Sequence, residues 1–324
     1  VNHSLGREFN FRSLLSFAFP TMIMMIFTSM YTIVDGLIVS RFIGTDALSA
    51  INIVFPAIII TIAIGVMLGT GGSAIIARKL GENKIQEAKE AFTLIVLVGV
   101  VISIIIGMIF ILFLEPICQL LGASDLLLEH CKQYLYTLSF FIPALMLQML
   151  FEIFFITAGK PKLGLILIVF AGITNGVLDY VFIVSMNMGI TGAALATAIG
   201  CLIPSIGGLI YFFNHKNSLH FVRPSLKKNV IWASCLNGSS EMVTNLSAGI
   251  ITWIFNLLMM KHLGENGVAA MTIVLYTQFL MTALFMGFSM GVAPVFSYNY
   301  GRQHHVQLKR LFQICIRFIG GARF

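Results

Sequence analysis

Four carboxyl side chains stand in stretches otherwise made of hydrocarbon: Asp35, Glu152, Asp179 and Glu241. A carboxylate at the middle of a bilayer costs about 2.5–3.5 kcal/mol on insertion scales, so a chain keeps one there for a partner or a task. The complete apolar stretches hold no Lys or Arg to pair with them. What can balance the charge is a proton, a small cation or a positively charged guest. Asp35 stands near the end of its stretch, in Tyr31-Thr-Ile-Val-Asp35-Gly36. Asp179 lies about 24 Å along a helix beginning near Leu163, at 1.5 Å per residue, which puts it in the same half of the membrane as Asp35. Asn175 is one turn away on the same face, and Gly172, Thr174 and Gly176 keep that helix locally small and polar. Two carboxyls and an amide at one depth can share a proton or coordinate Na⁺.

Glu241 falls about 15 Å into its stretch, close to the midplane, in the run Asn237-Gly-Ser-Ser-Glu241. Small polar groups in hydrocarbon suit a helix that walls a wet cavity. There Glu241 is a second cation site or the counter-charge of a cationic substrate; helix–helix hydrogen bonding through Ser and Asn is the plainer account. Glu152 is one turn from Gln148 near the other end of its span. It either lines an inner vestibule or reaches interfacial water by snorkelling.

The elements that must hold these residues are membrane spans. The 324 residues are 58% hydrophobic and 10% charged, with a mean hydropathy of +0.95. A soluble domain carries roughly 25% charged residues. Apolar stretches run over 13–39, 52–77, 91–114, 134–157, 163–185, 190–213, 230–260 and 268–296, with another from Leu308 onward. Each complete one reaches the roughly 20 residues that cross hydrocarbon. Pro20, Pro56, Pro143, Pro204 and Pro294 lie within them and are candidate breaks. The expectation is an all-α polytopic membrane protein. Cys118, Cys131, Cys201, Cys235 and Cys315 show no metal spacing and read as small apolar fillers.

Most of the 20 Lys and Arg fall in alternate connections, among them Arg7, Arg12, Arg78, Lys79, Lys84, Lys89, Lys160, Lys162, Lys227 and Arg302. The opposite connections hold Arg41, Lys132 and Lys261. Positive loops stay inside, which places the N-terminus in the cytoplasm. Basic residues spread between spans, rather than over one solvated face, argue against nucleic acid as a partner.

A shift of about 220 residues brings Gly44 onto Gly264, Ala50 onto Ala270, Gly71 onto Gly291, Gly81 onto Gly301 and Phe92 onto Phe312. The order of spans and basic loops repeats with the glycines. Six spans separate the copies, so both halves face the same way, an arrangement found in transporters. The expected organisation is a six-helix bundle over 1–213, a cytoplasmic linker over 214–229 and an incomplete second bundle over 230–324. A whole repeat extends to about 440 residues, so the chain reads as truncated at its C-terminal end. The sequence contains no Walker A, HExxH or CxxC motif; it is not read as an enzyme.

The chain resembles the multidrug and toxic compound extrusion (MATE) family, nearest in wording to its bacterial MepA-like branch. The resemblance rests on Val34-Asp35-Gly36 with Ser40 to Ala50, on Gly71 through Glu82, on Ala158-Gly159-Lys160-Pro161, on Asn175 to Asp179, and on Gly189-Ile-Thr-Gly192-Ala-Ala-Leu-Ala-Thr197. It implies a two-bundle fold of twelve helices when complete, here helices one to eight and part of nine. It also implies alternation between inward- and outward-facing states and export of organic cations or drugs in exchange for H⁺ or Na⁺. Asp35, Asn175 and Asp179 match the family's cation site, and Glu241 matches an acid of helix seven. With Gln148 and Glu152 it makes up the candidate substrate or second-cation set. No cofactor is implied beyond the coupling ion. The expected setting is the bacterial plasma membrane, as a monomer. A flippase for lipid-linked precursors is the alternative within the superfamily, although it favours a basic cavity; a channel or receptor is the alternative outside it.

Overall fold

Inside hydrocarbon every backbone N–H and C=O must be bonded within its own segment, which favours helices. The computed structural model describes residues 4–321, and over that range the chain is helical, with no strand among the described residues. Arg323, part of the expected last segment, lies outside them. A 3-10 turn at Ser4–Gly6 leads to α1 (Phe11–Phe42), α2 (Thr45–Gly81), α3 (Ile85–Leu112) and the short α4 (Leu114–Leu120). Then come α5 (Asp125–Ser139), α6 (Ile142–Thr157), α7 (Pro161–Asp179), a π-helical turn (Tyr180–Ser185), α8 (Gly189–Phe213), α9 (Lys228–Gly301) and α10 (His305–Gly321).

Asn10 starts α1 by a reciprocal cap: its side chain accepts from the Ser13 amide at 2.8 Å, and the Ser13 hydroxyl accepts from the Asn10 amide at 2.8 Å. The α9 helix is two arms folded at Gly264, whose φ of +63° is open to glycine at little cost. The first arm, Lys228–Gly264, crosses one way, and the second, 265–301, returns. Among the described residues six helices are long and apolar enough to cross a membrane, with α5 and α6 a seventh if read as one span bent by 61°.

The fourth expected span, 134–157, is therefore not one helix. It breaks at Phe140–Phe141, just ahead of Pro143 near the start of α6. Proline has no N–H to donate and turns the residue before it away from helix. The other four candidate prolines sit inside continuous helices. Neighbouring helices and Ser or Thr side chains can meet the carbonyl a proline frees.

The segment before α9 does not hang free. Phe221 packs on Phe92 at 5.0 Å between ring centres and on Phe213 at 4.9 Å. Phe92 also meets Phe154 and Phe212, and Leu219 is fully buried. The Val222 amide donates to the Thr93 hydroxyl at 3.1 Å. Each aromatic pair is worth about 0.5–1.5 kcal/mol beyond burial, so the connection is fastened to α3 and α8.

The end of the molecule carrying Arg78, Lys79, Lys84 and Arg302 is called the basic end. There α2 and the second arm of α9 cross backbone to backbone. A Cβ on Gly81 would overlap the carbonyl oxygen of Tyr298, and one on Gly301 would overlap that of Arg78. Tyr298 and Arg78 are themselves related by the same shift of about 220 residues that relates the glycines. Below the crossing, Lys84 and Arg78 both bond Glu82, at 2.8 and 2.9 Å, and hold its carboxyl below the usual carboxylate range. The segment leading into α1 reaches across the same end. Leu5 and Phe9 are fully buried, Arg302 Nη1 donates to the Gly6 carbonyl at 2.9 Å, and Asn299 and Gln307 donate to the Leu5 and Phe9 carbonyls at 3.4 Å.

Candidate functional site

The α1 and α7 helices pack side by side, and α7 pairs with α8. Asp35 lies two turns from the end of α1, and Asp179 is the last residue of α7. Their carboxyl groups lie within hydrogen-bonding reach of each other. Asp179 is fully buried and Asn175 is 4% exposed. Asp35 Oδ1, both Asp179 oxygens, Asn175 Nδ2 and Thr197 Oγ1 are all buried without a hydrogen-bond partner. A buried polar atom left unpaired costs about 1–3 kcal/mol, more when charged. Two facing carboxylates cannot bond one another unless a proton or a cation comes between them. The arrangement gathers two carboxyl groups, an amide and a hydroxyl where a proton or a small cation can be held.

Local structure explains how the cluster forms. The helix after Asp179 loosens into the π turn Tyr180–Ser185, and such bulges commonly mark functional positions. Gly200 of α8 lies against Asn175; one turn along this antiparallel pair, Thr197 comes level with Asp179. Sequence reasoning did not assign Thr197 a role. Its signal was present in the small-residue run after Gly189, but the α7–α8 register decides which hydroxyl is level with the acids.

A second network adjoins the first. Tyr31 is one turn from Asp35 on the same face of α1 and lies close to Gln148, Glu152 and Cys201. Gln148 Nε2 donates to Glu152 Oε1 at 2.9 Å, and the two residues are 3% and 5% exposed. Burial at that level removes the snorkelling account of Glu152. A line of polar groups thus runs from Glu152 through Gln148 and Tyr31 toward Asp35.

Glu241 is not brought to either network. It is exposed on the first arm of α9, where it bonds the Ser240 hydroxyl, while Asn245 donates to its backbone carbonyl at 2.8 Å. The expected substrate set therefore divides: Gln148 and Glu152 sit with Asp35, and Glu241 is exposed on the first arm of α9.

The α1 helix and the second arm of α9 touch toward the basic end, where Gly287 and Gly291 meet Met22 and Ala18. Toward the other end Met30, Val34 and Leu37 of α1, and Ile273 and Val274 of the second arm, are exposed. Asp35 and Asp179 thus lie toward the end of α1 away from the Gly287 and Gly291 contacts.

Comparison with known proteins agrees with this architecture. The MatE family profile matches residues 20–181 and 242–323. The Multidrug export protein MepA of Staphylococcus saprophyticus is 25% identical over 317 residues, covering 95% of this chain and 68% of that protein. The MepA of Staphylococcus haemolyticus is 25% identical over 292 residues, covering 90% of this chain and 64% of that protein. The chain thus spans about two thirds of the length of these relatives. Among solved structures, the MATE multidrug transporter DinF-BH in complex with R6G superposes with a TM-score of 0.88 at 26% identity, over 94% of this chain and 69% of that one. A buried acid pair on a multi-pass helical scaffold and a family profile covering most of the sequence lead to one assignment: this chain belongs to the MatE family of transporters.

Proposed function

We propose that this chain takes part in secondary active efflux of organic cations, exchanged for H⁺ or Na⁺ by alternating access, in a bacterial plasma membrane with the N-terminus in the cytoplasm. The observation that carries the reading is the pairing of Asp35 with Asp179 in a buried cluster whose polar atoms lack partners. Asp35, Asn175, Asp179 and Thr197 hold the coupling ion. The Glu152–Gln148–Tyr31 line passes a proton or faces the positive end of a substrate. The close contacts at Gly81, Gly287, Gly291 and Gly301 support reading this conformation as closed at the basic end. Ion binding favours one arrangement only by its differential affinity for the two; neutralising the pair removes the repulsion that a bound organic cation otherwise relieves. This is competition for one set of acids. Similarity to the multidrug export protein MepA and to the multidrug transporter DinF-BH supports it.

Ethidium efflux from vesicles, with pH and Na⁺ gradients imposed separately, tests the proposal. Asp179→Asn is expected to abolish ion-driven efflux while membrane insertion is unchanged. Efflux at the unsubstituted rate in that variant overturns it.

A further inference from the structure

The shift of about 220 residues relates two crevices at the basic end, and the structure fills only one. On the α1 side, Leu5, Phe9 and Phe17 are buried in one apolar cluster with Ile76, Leu80 and Tyr298, Phe9 meeting Phe17 at 5.7 Å between ring centres. Three side chains, Asn299, Arg302 and Gln307, donate to backbone carbonyls at its rim. The contents are apolar, and the rim is a set of acceptors held by donors.

On the α9 side the mates of Leu5, Phe9 and Phe17 are Ser225, Asn229 and Asn237. None is large enough to fill the space, and a cavity of about 730 Å³ stands there between α2 and the two arms of α9. Leu226, the residue nearest in sequence that matches Gly6, is 80% exposed and does not enter. The inner wall is apolar, formed by Ile75, Val230, Phe296 and Leu308. The polar lining is Arg78, Lys79, Glu82, Asn229 and Asn237, with the Glu82 carboxylate already bonded by Arg78 and Lys84. Arg78 engages Glu82 through Nε and lies 5.5 Å from the Tyr300 ring centre, so its terminal amino groups are left to donate. Lys79 pairs with Glu87 and keeps further N–H groups.

We infer that this open crevice is a binding site for an anionic phospholipid of the cytoplasmic leaflet, its phosphate and ester oxygens on Arg78 and Lys79 and an acyl chain against Ile75 and Phe296. The filled crevice shows the chemistry required: acceptor oxygens over an apolar body. A phospholipid supplies both, whereas an organic cation supplies no acceptor for the rim. Basic pockets between helices at this level are suited to anionic headgroups, and the volume falls within the roughly 300–1,000 Å³ of small-molecule sites. The bound lipid wedges the α2–α9 side as the Leu5–Phe9 segment wedges the other. The inference does not depend on the ion site and concerns none of its residues.

Native mass spectrometry of the purified chain in detergent, titrated with phosphatidylglycerol or phosphatidylcholine, tests it. The expected result is one retained phosphatidylglycerol, preferred over phosphatidylcholine. Asn229→Phe with Asn237→Phe, which restores two side chains of the filled crevice, is expected to lower retention about tenfold, roughly the worth of a hydrogen bond to a charged group. Ala233→Leu fills the same space less severely and is expected to lower it too, so a folding defect of the double variant does not decide the outcome. Arg78→Gln is expected to remove the preference for phosphatidylglycerol. Equal retention of the two lipids by the unsubstituted chain, unchanged retention in the filled variants, or displacement by inorganic phosphate overturns the inference.

Discussion

Asn52 and Asn256 clasp one another across the seam between α2 and the first arm of α9. Asn52 Nδ2 donates to Asn256 Oδ1 at 3.0 Å, and Asn256 Nδ2 donates to the Asn52 carbonyl at 3.1 Å. They are 5% and 2% exposed. Gly71 and Gly238 bring the same two helices together nearer the basic end, so this seam is fastened from Asn52–Asn256 as far as Gly71–Gly238.

Asn52→Ala leaves the Asn256 amide buried with half its bonds. The expected cost is about 1 kcal/mol, between the value for interhelical bonds in membranes and that of a stranded polar group. Thermal unfolding in micelles measures it. Asn52→Ala combined with Asn256→Ala is expected to cost less than the sum of the two single changes, because the partners are lost together.

Gly301→Ala places a methyl group on the Arg78 carbonyl oxygen. Overpacking of this kind costs about 1–3 kcal/mol, and the helices relieve it by separating at the basic end. Cys235, half-buried on the first arm of α9, is then expected to react faster with a maleimide. An unchanged labelling rate shows that the crossing yields in some other way.

Phe9→Ala removes a fully buried ring from the segment that crosses the basic end. The loss is about 3–5 kcal/mol if the space does not collapse. Hydrogen exchange at the amides of 5–10 is expected to quicken, while exchange in α7 and α8 stays as it was.

Glu152→Gln preserves the shape of the Gln148 contact and removes the charge. If the line through Tyr31 carries protons, H⁺-driven efflux falls roughly tenfold, the worth of one hydrogen bond to a charged group. Efflux driven by Na⁺ is expected to change less. A proportionate loss of both places Glu152 on the substrate instead.

Depth was legible in the sequence. At 1.5 Å per residue, position along a span converts directly into height, which is why Asp35 and Asp179 were expected in one half of the membrane and why the repeated glycines marked the turns and crossings. Apolar composition determined the helices for the same kind of reason, since unpaired backbone is not tolerated in hydrocarbon. The break before Pro143 was not separable from four harmless prolines, because neighbouring helices decide whether a freed carbonyl is met.

Rotation about each helix axis was decided only by tertiary structure. Four acids at known heights can face one another, lipid or a cavity, and side-chain packing between helices selects among these. That packing joined Asp35 to Asp179, brought Thr197 level through the Gly200–Asn175 contact, tied Glu152 to Tyr31, and left Glu241 exposed apart from them. It also docked Leu5 and Phe9 on a helix corner almost the whole chain away. Height is a local property that residue count conveys, whereas azimuth and long-range docking depend on which surfaces fit together.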